Sequence, residues 1–515
     1  MPYVVTETLF YDILSGAIPG VPADKIVISD RLKSFTDCSF DFAIYIGDST
    51  RVHANSIYFT NCFFSDETTF ANVQSIILSG CRFEKSASLN GTKAKLQIVD
   101  CVFTASLYLT SVDIIGPFEF LRNQIGNTLH FSGNFKTPIY LVDSSIKEEL
   151  VLKDCEFLTT LGITNNVIGK ININGGSYSG AIKLSNLTLA ELQVLNASIN
   201  DELILMSTTL KIIEVRTVKL LSLLIHDCKI VNTIDLWLQN IEKLYIDKIS
   251  CGSISFVGKS DGTSYIKITE INTGKLILFK LKNQGLFEFS AIVVTDILDI
   301  FSSDLKKMDF INCDFSTAKM SFTNSKVNEI FVAETDFPKL VYSYEKISYQ
   351  QGQLFFGQLS NAVNTTGDSV KAMEYRSREL YAHYKQLVFF RKSFYFFNLT
   401  KFNLWLNYIS NDFGRSWGRA VLFSFGLGAL FFYIMTVSTS AFKISFPITL
   451  DWNLVPAYFR FMNPLRFFET ENIYEPLGKT VGLAPRSYVI DFFARVTIAY
   501  GFYQVIQAFR RFGKS

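Results

Sequence analysis

Cysteine is the residue type here with the most chemical potential, and the chain has eight in 515 residues. Three recur in near-copies of one segment: SIYFTNCFF at 56–64, SIILSGCRF at 75–83 and KLQIVDCVF at 95–103. Each copy sets a cysteine two places before a phenylalanine: Cys62 before Phe64, Cys81 before Phe83, Cys101 before Phe103. Thiols at such intervals could hold a metal, form disulfides or fill a packing slot. Zinc sites draw on cysteines paired at short spacing, and the chain has no CxxC pair. The first twenty residues, MPYVVTETLFYDILSGAIPG, lack a basic start followed by an unbroken apolar run, so no secretory signal is expected. Sparse cysteines and no such signal point to a reducing interior. The slot reading follows: a free cysteine is a small buried hydrophobe.

The element that sets this slot is a repeat. The pattern apolar-x-apolar-x-x-small-x-apolar fits Ile57, Phe59, Cys62 and Phe64, then Ile76, Leu78, Cys81 and Phe83, then Leu96, Ile98, Cys101 and Phe103. Starts at intervals of mostly 10 or 11 residues continue to Ile330. A sustained period of this kind marks a solenoid. Cys38, Cys155, Cys228 and Cys313 share the small slot, and Ser144, Thr208 and Thr335 fill it elsewhere. Four five-residue units, roughly 20 to 22 residues, would make one coil. About fifteen coils at the strand spacing give a rod on the order of 70 Å long.

These residues resemble the pentapeptide-repeat proteins over about residues 31–338, with one-residue insertions that blur the repeat. The resemblance implies a mainly β fold: a right-handed parallel β-helix with the small and the central apolar residue of each unit pointing inward. Residues 1–30 are expected to cap it, because a solenoid end exposes its core.

No coil shows a catalytic constellation, and His53, His130, His226 and His383 are scattered. The expectation is a protein that is not an enzyme, with no catalytic residue, no metal and no cofactor. The net charge of +2 gives no field suited to duplex DNA or its mimicry. Hydrophobic residues at 48% and 49 phenylalanines fit a long thin core, a membrane part, or both.

The period ends near Pro338. Residues 339–365 are expected to form a connector, and 366–415 a cytoplasmic helical linker whose first helix is capped by Asp368 or Ser369. Residues 416–515 form a transmembrane region with spans at about 420–442 and 488–509, of which the first carries no charge. Arg391, Lys392, Lys401, Arg415 and Arg419 precede the first span, and Arg510, Arg511 and Lys514 follow the second. Basic clusters outside the hairpin place both termini in the cytoplasm.

The junction extends the resemblance to a bacterial membrane-bound subgroup of pentapeptide-repeat proteins. Gly367, Asp368 and Glu379 match its GD…E helix, and Phe413, Gly414, Ser416 and Arg419 match its YG-x-S-x-x-R element, with Phe for Tyr. The likeness implies the bacterial inner membrane and a two-helix, ion-channel-like region. The layout is also similar to Hailong-type anti-phage effectors, which implies an anionic nucleotide or oligonucleotide signal. Lys371, Arg376, Arg378 and Lys385 are the cations that would meet it; an ordinary solvated helix face is the simpler account of them.

On the second span, Thr497, Tyr500, Gln504, Gln507 and Arg511 recur at intervals of 3 and 4 and share one helical face. Two readings stand. The face lines a pore shared by a homo-oligomer, a tetramer by analogy with two-span channels, or it is a polar seam between two packed helices. KTVGLAP at 479–485 shares only Thr480, Val481 and Gly482 with a potassium filter, and no apolar pore helix precedes it. The functions in view are an oligomeric, channel-like effector gated by the β-helix and a membrane-anchored scaffold that binds a protein partner without conduction.

Overall fold

The computed structural model describes residues 2–16, 20, 22–28, 32–46, 56–93, 95–343, 345–389, 398–438, 452, 454–465 and 485–512, with only the backbone described at 510–512. The chain forms two compact units, 1–338 and 339–515.

The first unit is a β-solenoid of about 14 turns. Its coil-to-coil pairings are parallel, with local register shifts such as that between Leu109 and Val112: Phe64 pairs with Phe83, and Phe83 with Phe103. Farther along, Leu244 pairs with Ile266 and Ile266 with Phe287. Alternating inward residues are buried, including Ile57, Phe59, Ile76, Leu78, Leu96 and Ile98. Rings stacked in one column follow the strand spacing. Centroids lie 5.0 Å apart for Phe40 and Phe64, 4.4 Å for Phe64 and Phe83, and 4.6 Å for Phe83 and Phe103.

The corner before the small slot explains the recurring Asn and Asp. Asp37, Asn61, Asp100, Asp143 and Asn165 all take a left-handed conformation, with φ between 48° and 57°. That conformation costs roughly 1–2 kcal/mol for most L-residues, and Asn, Asp and Gly tolerate it best. Gly80 occupies the same corner at φ 62°. The corner amides stay in the ladder: Asn61 N donates to Ser79 O at 2.8 Å and Asp100 N to Leu121 O at 3.0 Å.

All eight cysteines are free and buried. Cys81 Sγ donates to Phe59 O at 3.3 Å and Cys155 Sγ to Phe131 O at 3.3 Å, so the slot thiols turn onto backbone carbonyls. Cys251, outside the repeat phase, is buried in a slot that pairs with Ile230 and Thr273. Where the slot is polar, each side chain accepts from the backbone of the preceding coil. Asn123 Oδ1 accepts from Cys101 N at 2.9 Å, Ser144 Oγ from Asn123 N at 3.1 Å and Asn166 Oδ1 from Ser144 N at 2.7 Å. Buried polar groups are tolerated when bonded in this way.

Helix α1, Glu7–Ser15, covers the first coil. Thr6 caps its start, and Gly16 closes it at φ 96°. Phe10 is fully buried, 5.5 Å from the rings of Phe35 and Phe40. Burying that ring is worth roughly 1.5–3 kcal/mol.

The second unit is helical. The stretch expected as a connector holds α2, Tyr349–Thr365. Its polar tail hides a helical stripe in which Phe355, Phe356, Leu359, Ala362 and Val363 are all buried. The stripe packs on α3, Ser369–Gln386, capped by Asp368. Then come α4, Leu399–Asn411; α5, Trp417–Ser438; α6, Leu454–Met462; and α7, Pro485–Phe512. Both α5 and α7 are long and apolar enough to cross a membrane. At 1.5 Å per residue, the 22 residues of α5 extend about 33 Å. Residues 439–442, at the end of the expected first span, and Arg391, Lys392 and Lys514 lie outside the described residues.

Helices α5 and α7 meet along small residues: Ala420, Ser424 and Gly428 on one, Ala494, Gly501 and Ala508 on the other, all buried. A methyl group at Gly501 would come 2.4 Å from Ser424 Oγ, so only glycine permits this crossing. Helix α6 adds Phe461 and Met462 to the α5–α7 core.

Candidate functional site

The four cations expected to meet a ligand do not converge. Arg376 forms an ion pair with Glu379 at 2.6 Å and borders a cavity of about 810 Å³ with Asn361, Asn364, Tyr503 and Gln507. Arg378 borders a different cavity, of about 460 Å³. Lys385 sits over the rings of Tyr381 and Tyr384 at 5.4 and 5.6 Å. Lys371 lies in the first turn of α3 and lines neither cavity. On α3, residues 371, 378 and 385 recur every seven residues on one side but stand two helical turns apart, and 376 lies on another side.

The smaller cavity has the more developed electrostatics. Its walls come from the segment before α2, from α2 and α3, and from the α4–α5 turn. On α3, Glu374 and Arg378 stand four residues apart, and Arg378 Nη2 donates to Glu374 Oε1 at 2.7 Å. Arg378 also lies 5.7 Å from the Phe356 ring and 5.5 Å from the Tyr375 ring. Arg415, from the α4–α5 turn, approaches the same carboxylate oxygen at 3.7 Å. Tyr381 and Tyr408 form an aromatic wall with centroids 5.5 Å apart. The turn carrying Arg415 is built by three successive left-handed residues, Asp412, Phe413 and Gly414. Asn411 pins it: its Oδ1 accepts from Gly414 N at 2.8 Å. The sequence reading missed Glu374, Tyr381 and Tyr408 as site residues. Glu374 and Tyr381 were signalled by the 374, 378, 381 spacing along one face of α3, whereas Tyr408 comes from α4 and had no such signal.

The proposed pore face divides on α7. Gln504 is buried inside the chain's own helices, where its Oε1 accepts from Asn411 Nδ2. Thr497, Tyr500 and Gln507 are half-buried, and Tyr500 sits near Phe423 of α5 with ring centroids 6.5 Å apart. The side chain of Arg511 and the filter-like residues 479–484 lie outside the described residues. Phe502 is partly buried against the α5–α7 core, and the exposed apolar residues of α7 include Val489, Phe492, Phe493, Val496, Ile506 and Phe509. Toward the other end of α7, Asp491 is fully buried and paired with Arg495 at 2.7 Å.

Together these features define a mainly β solenoid protein followed by helices, two of which can cross a membrane. Neither a known protein family, nor a curated protein, nor a solved structure matches the chain.

Proposed function

We propose that the protein is a membrane-anchored β-solenoid. The solenoid serves as a binding scaffold for a protein partner, and α5 and α7 hold it at the bacterial inner membrane with both termini in the cytoplasm. One observation carries the anchoring: both long helices leave large apolar side chains exposed, Leu422 at 74% and Leu430 at 51% on α5, Val496 at 54% and Ile506 at 53% on α7. A core helix of a water-soluble protein buries such residues, whereas lipid accommodates them. Lys401 and Arg415 before α5, with Arg419 in its first turn, support the cytoplasmic orientation. The test is flotation of the full chain with vesicles after alkaline carbonate washing. An anchored protein floats with lipid, and a protein released by carbonate ends this reading.

A second reading has its own support. Thr497, Tyr500 and Gln507 stay half-buried beside the sealed Gln504, and a symmetric oligomer, such as a tetramer, could turn them toward a shared axis. The protein would then be a channel-like effector gated by the solenoid, and the anti-phage role and nucleotide signal belong to this reading. Ion flux into liposomes containing the purified protein, lost in Gln507→Leu with assembly intact, supports it. Absence of flux from oligomeric protein leaves the scaffold.

A further inference from the structure

We infer that the cavity walled by Arg378, Arg415, Tyr381 and Tyr408 binds a phosphodiester anion, as carried by an anionic phospholipid headgroup or by a soluble phosphodiester. Charge is the first argument. Lys339, Arg378 and Arg415 face Glu374 and Asp412 around about 460 Å³, which leaves one positive charge in surplus. Arg419, which is not among the cavity's lining residues, approaches Asp412 at 3.9 Å. A phosphodiester is a monoanion and matches that surplus; a phosphomonoester dianion would overshoot it.

Geometry is the second argument. The 3.7 Å between Arg415 Nη2 and Glu374 Oε1 is too long for a hydrogen bond. One carboxylate is therefore shared by two guanidiniums but closely held by one. Arg378 is fixed in place by that contact and by the two rings beside it. A planar guanidinium suits phosphate oxygens better than a point charge does. Tyrosine walls supply ring faces and hydroxyls for the glycerol or sugar that a diester carries.

Position is the third argument. Arg415 precedes Trp417, the first residue of α5, by two places, and Trp417 is half exposed as interfacial tryptophans are. Basic pockets at this level of a membrane protein meet lipid headgroups.

The test uses the full chain in neutral detergent, with thermal unfolding followed by tyrosine fluorescence. Phosphatidylglycerol, phosphatidylcholine and water-soluble glycerophosphoglycerol are titrated separately. Phosphatidylglycerol should raise the midpoint saturably and phosphatidylcholine should not. Arg415→Gln, at an exposed side chain, should weaken the apparent affinity at least tenfold. Glu374→Gln, which removes the internal competitor, should strengthen it. If glycerophosphoglycerol also shifts the midpoint, the site takes free phosphodiesters; if only the lipid does, it takes headgroups. The lipid arm rests on the anchoring proposed above, and the soluble arm stands even if flotation fails. The inference is overturned if neither anion outperforms phosphatidylcholine, or if both variants bind as the parent does.

Discussion

Asn411, the last residue of α4, donates a side-chain hydrogen bond to Gln504, 93 residues later on α7, and both side chains are buried. The same Asn411 holds Gly414 in the turn that presents Arg415. The charged cavity and the second apolar helix are therefore joined through one amide.

That joint predicts a specific energetic coupling. Gln504→Leu strands the Asn411 amide and should cost roughly 1–3 kcal/mol. Asn411→Leu should cost more, because the 412–416 turn loses its pin as well. The double variant should lose less than the sum of the two, as contacting residues do. Thermal unfolding of the four proteins in one detergent measures this, and strictly additive losses would show that the two amides act independently.

The slot thiols should resist alkylation. Burial pushes Cys228 and Cys313 up to about 11 and Cys155 up to about 12. At pH 8 the thiolate fraction at a pKa of about 11 is on the order of one in a thousand, and the thiolate is the reactive form. Native protein should stay largely unlabelled by iodoacetamide and label fully in denaturant. Linkage adds a sign. A folded pKa above the unfolded value stabilises fully below the ordinary thiol range near 9.0, and that contribution fades as pH rises toward about 11. Stability should accordingly fall on the alkaline side, and rapid native labelling of Cys81 or Cys101 would overturn the packing-slot assignment.

The ring column should be sensitive to truncation. Phe83 lies between Phe64 at 4.4 Å and Phe103 at 4.6 Å and is fully buried. Phe83→Ala should cost roughly 3–5 kcal/mol, and Phe83→Leu markedly less. Urea unfolding followed by the far-ultraviolet β signal reads the difference. Equal costs for the two would mean that ring stacking and volume contribute little there.

The corner glycine offers a backbone test. Gly80 sits at φ 62°, and a Cβ there would meet Asn61 Oδ1 at 2.4 Å. Gly80→Val should destabilise the solenoid by more than the roughly 1–2 kcal/mol of left-handed strain. Gly80→Asn should be milder, since asparagine already fills the equivalent corner at Asn61 and Asn165. The ranking of unfolding midpoints checks it, and valine matching asparagine would contradict the corner geometry.

The solenoid was legible because its signals are local. The inward alternation, the Asn or Asp corner and the small slot before each large residue all lie within eight consecutive residues, spanning two five-residue units, and stacking only repeats them. The two apolar helices were legible for the same reason: length and composition are properties of a single segment. Helix α2 was missed because SNAVNTTGDS is polar in composition, although Phe355, Phe356 and Leu359 begin a buried stripe that runs on into it. Cys251 escaped the repeat phase because its slot usually holds larger residues, as Ile230 does in the coil before. Periodicity placed Gln504 on a polar face of α7 and left open whether that face served a pore or a seam. Its partner comes from a helix end 93 residues away, so only packing could decide that this amide is sealed within the chain. The same holds for the cavity. Glu374 and Arg378 announce their pairing by spacing on one helix, but Arg415 reaches them only because three left-handed residues turn the chain back toward α3. Spacing along a chain fixes which residues share a face, and long-range packing fixes what that face meets.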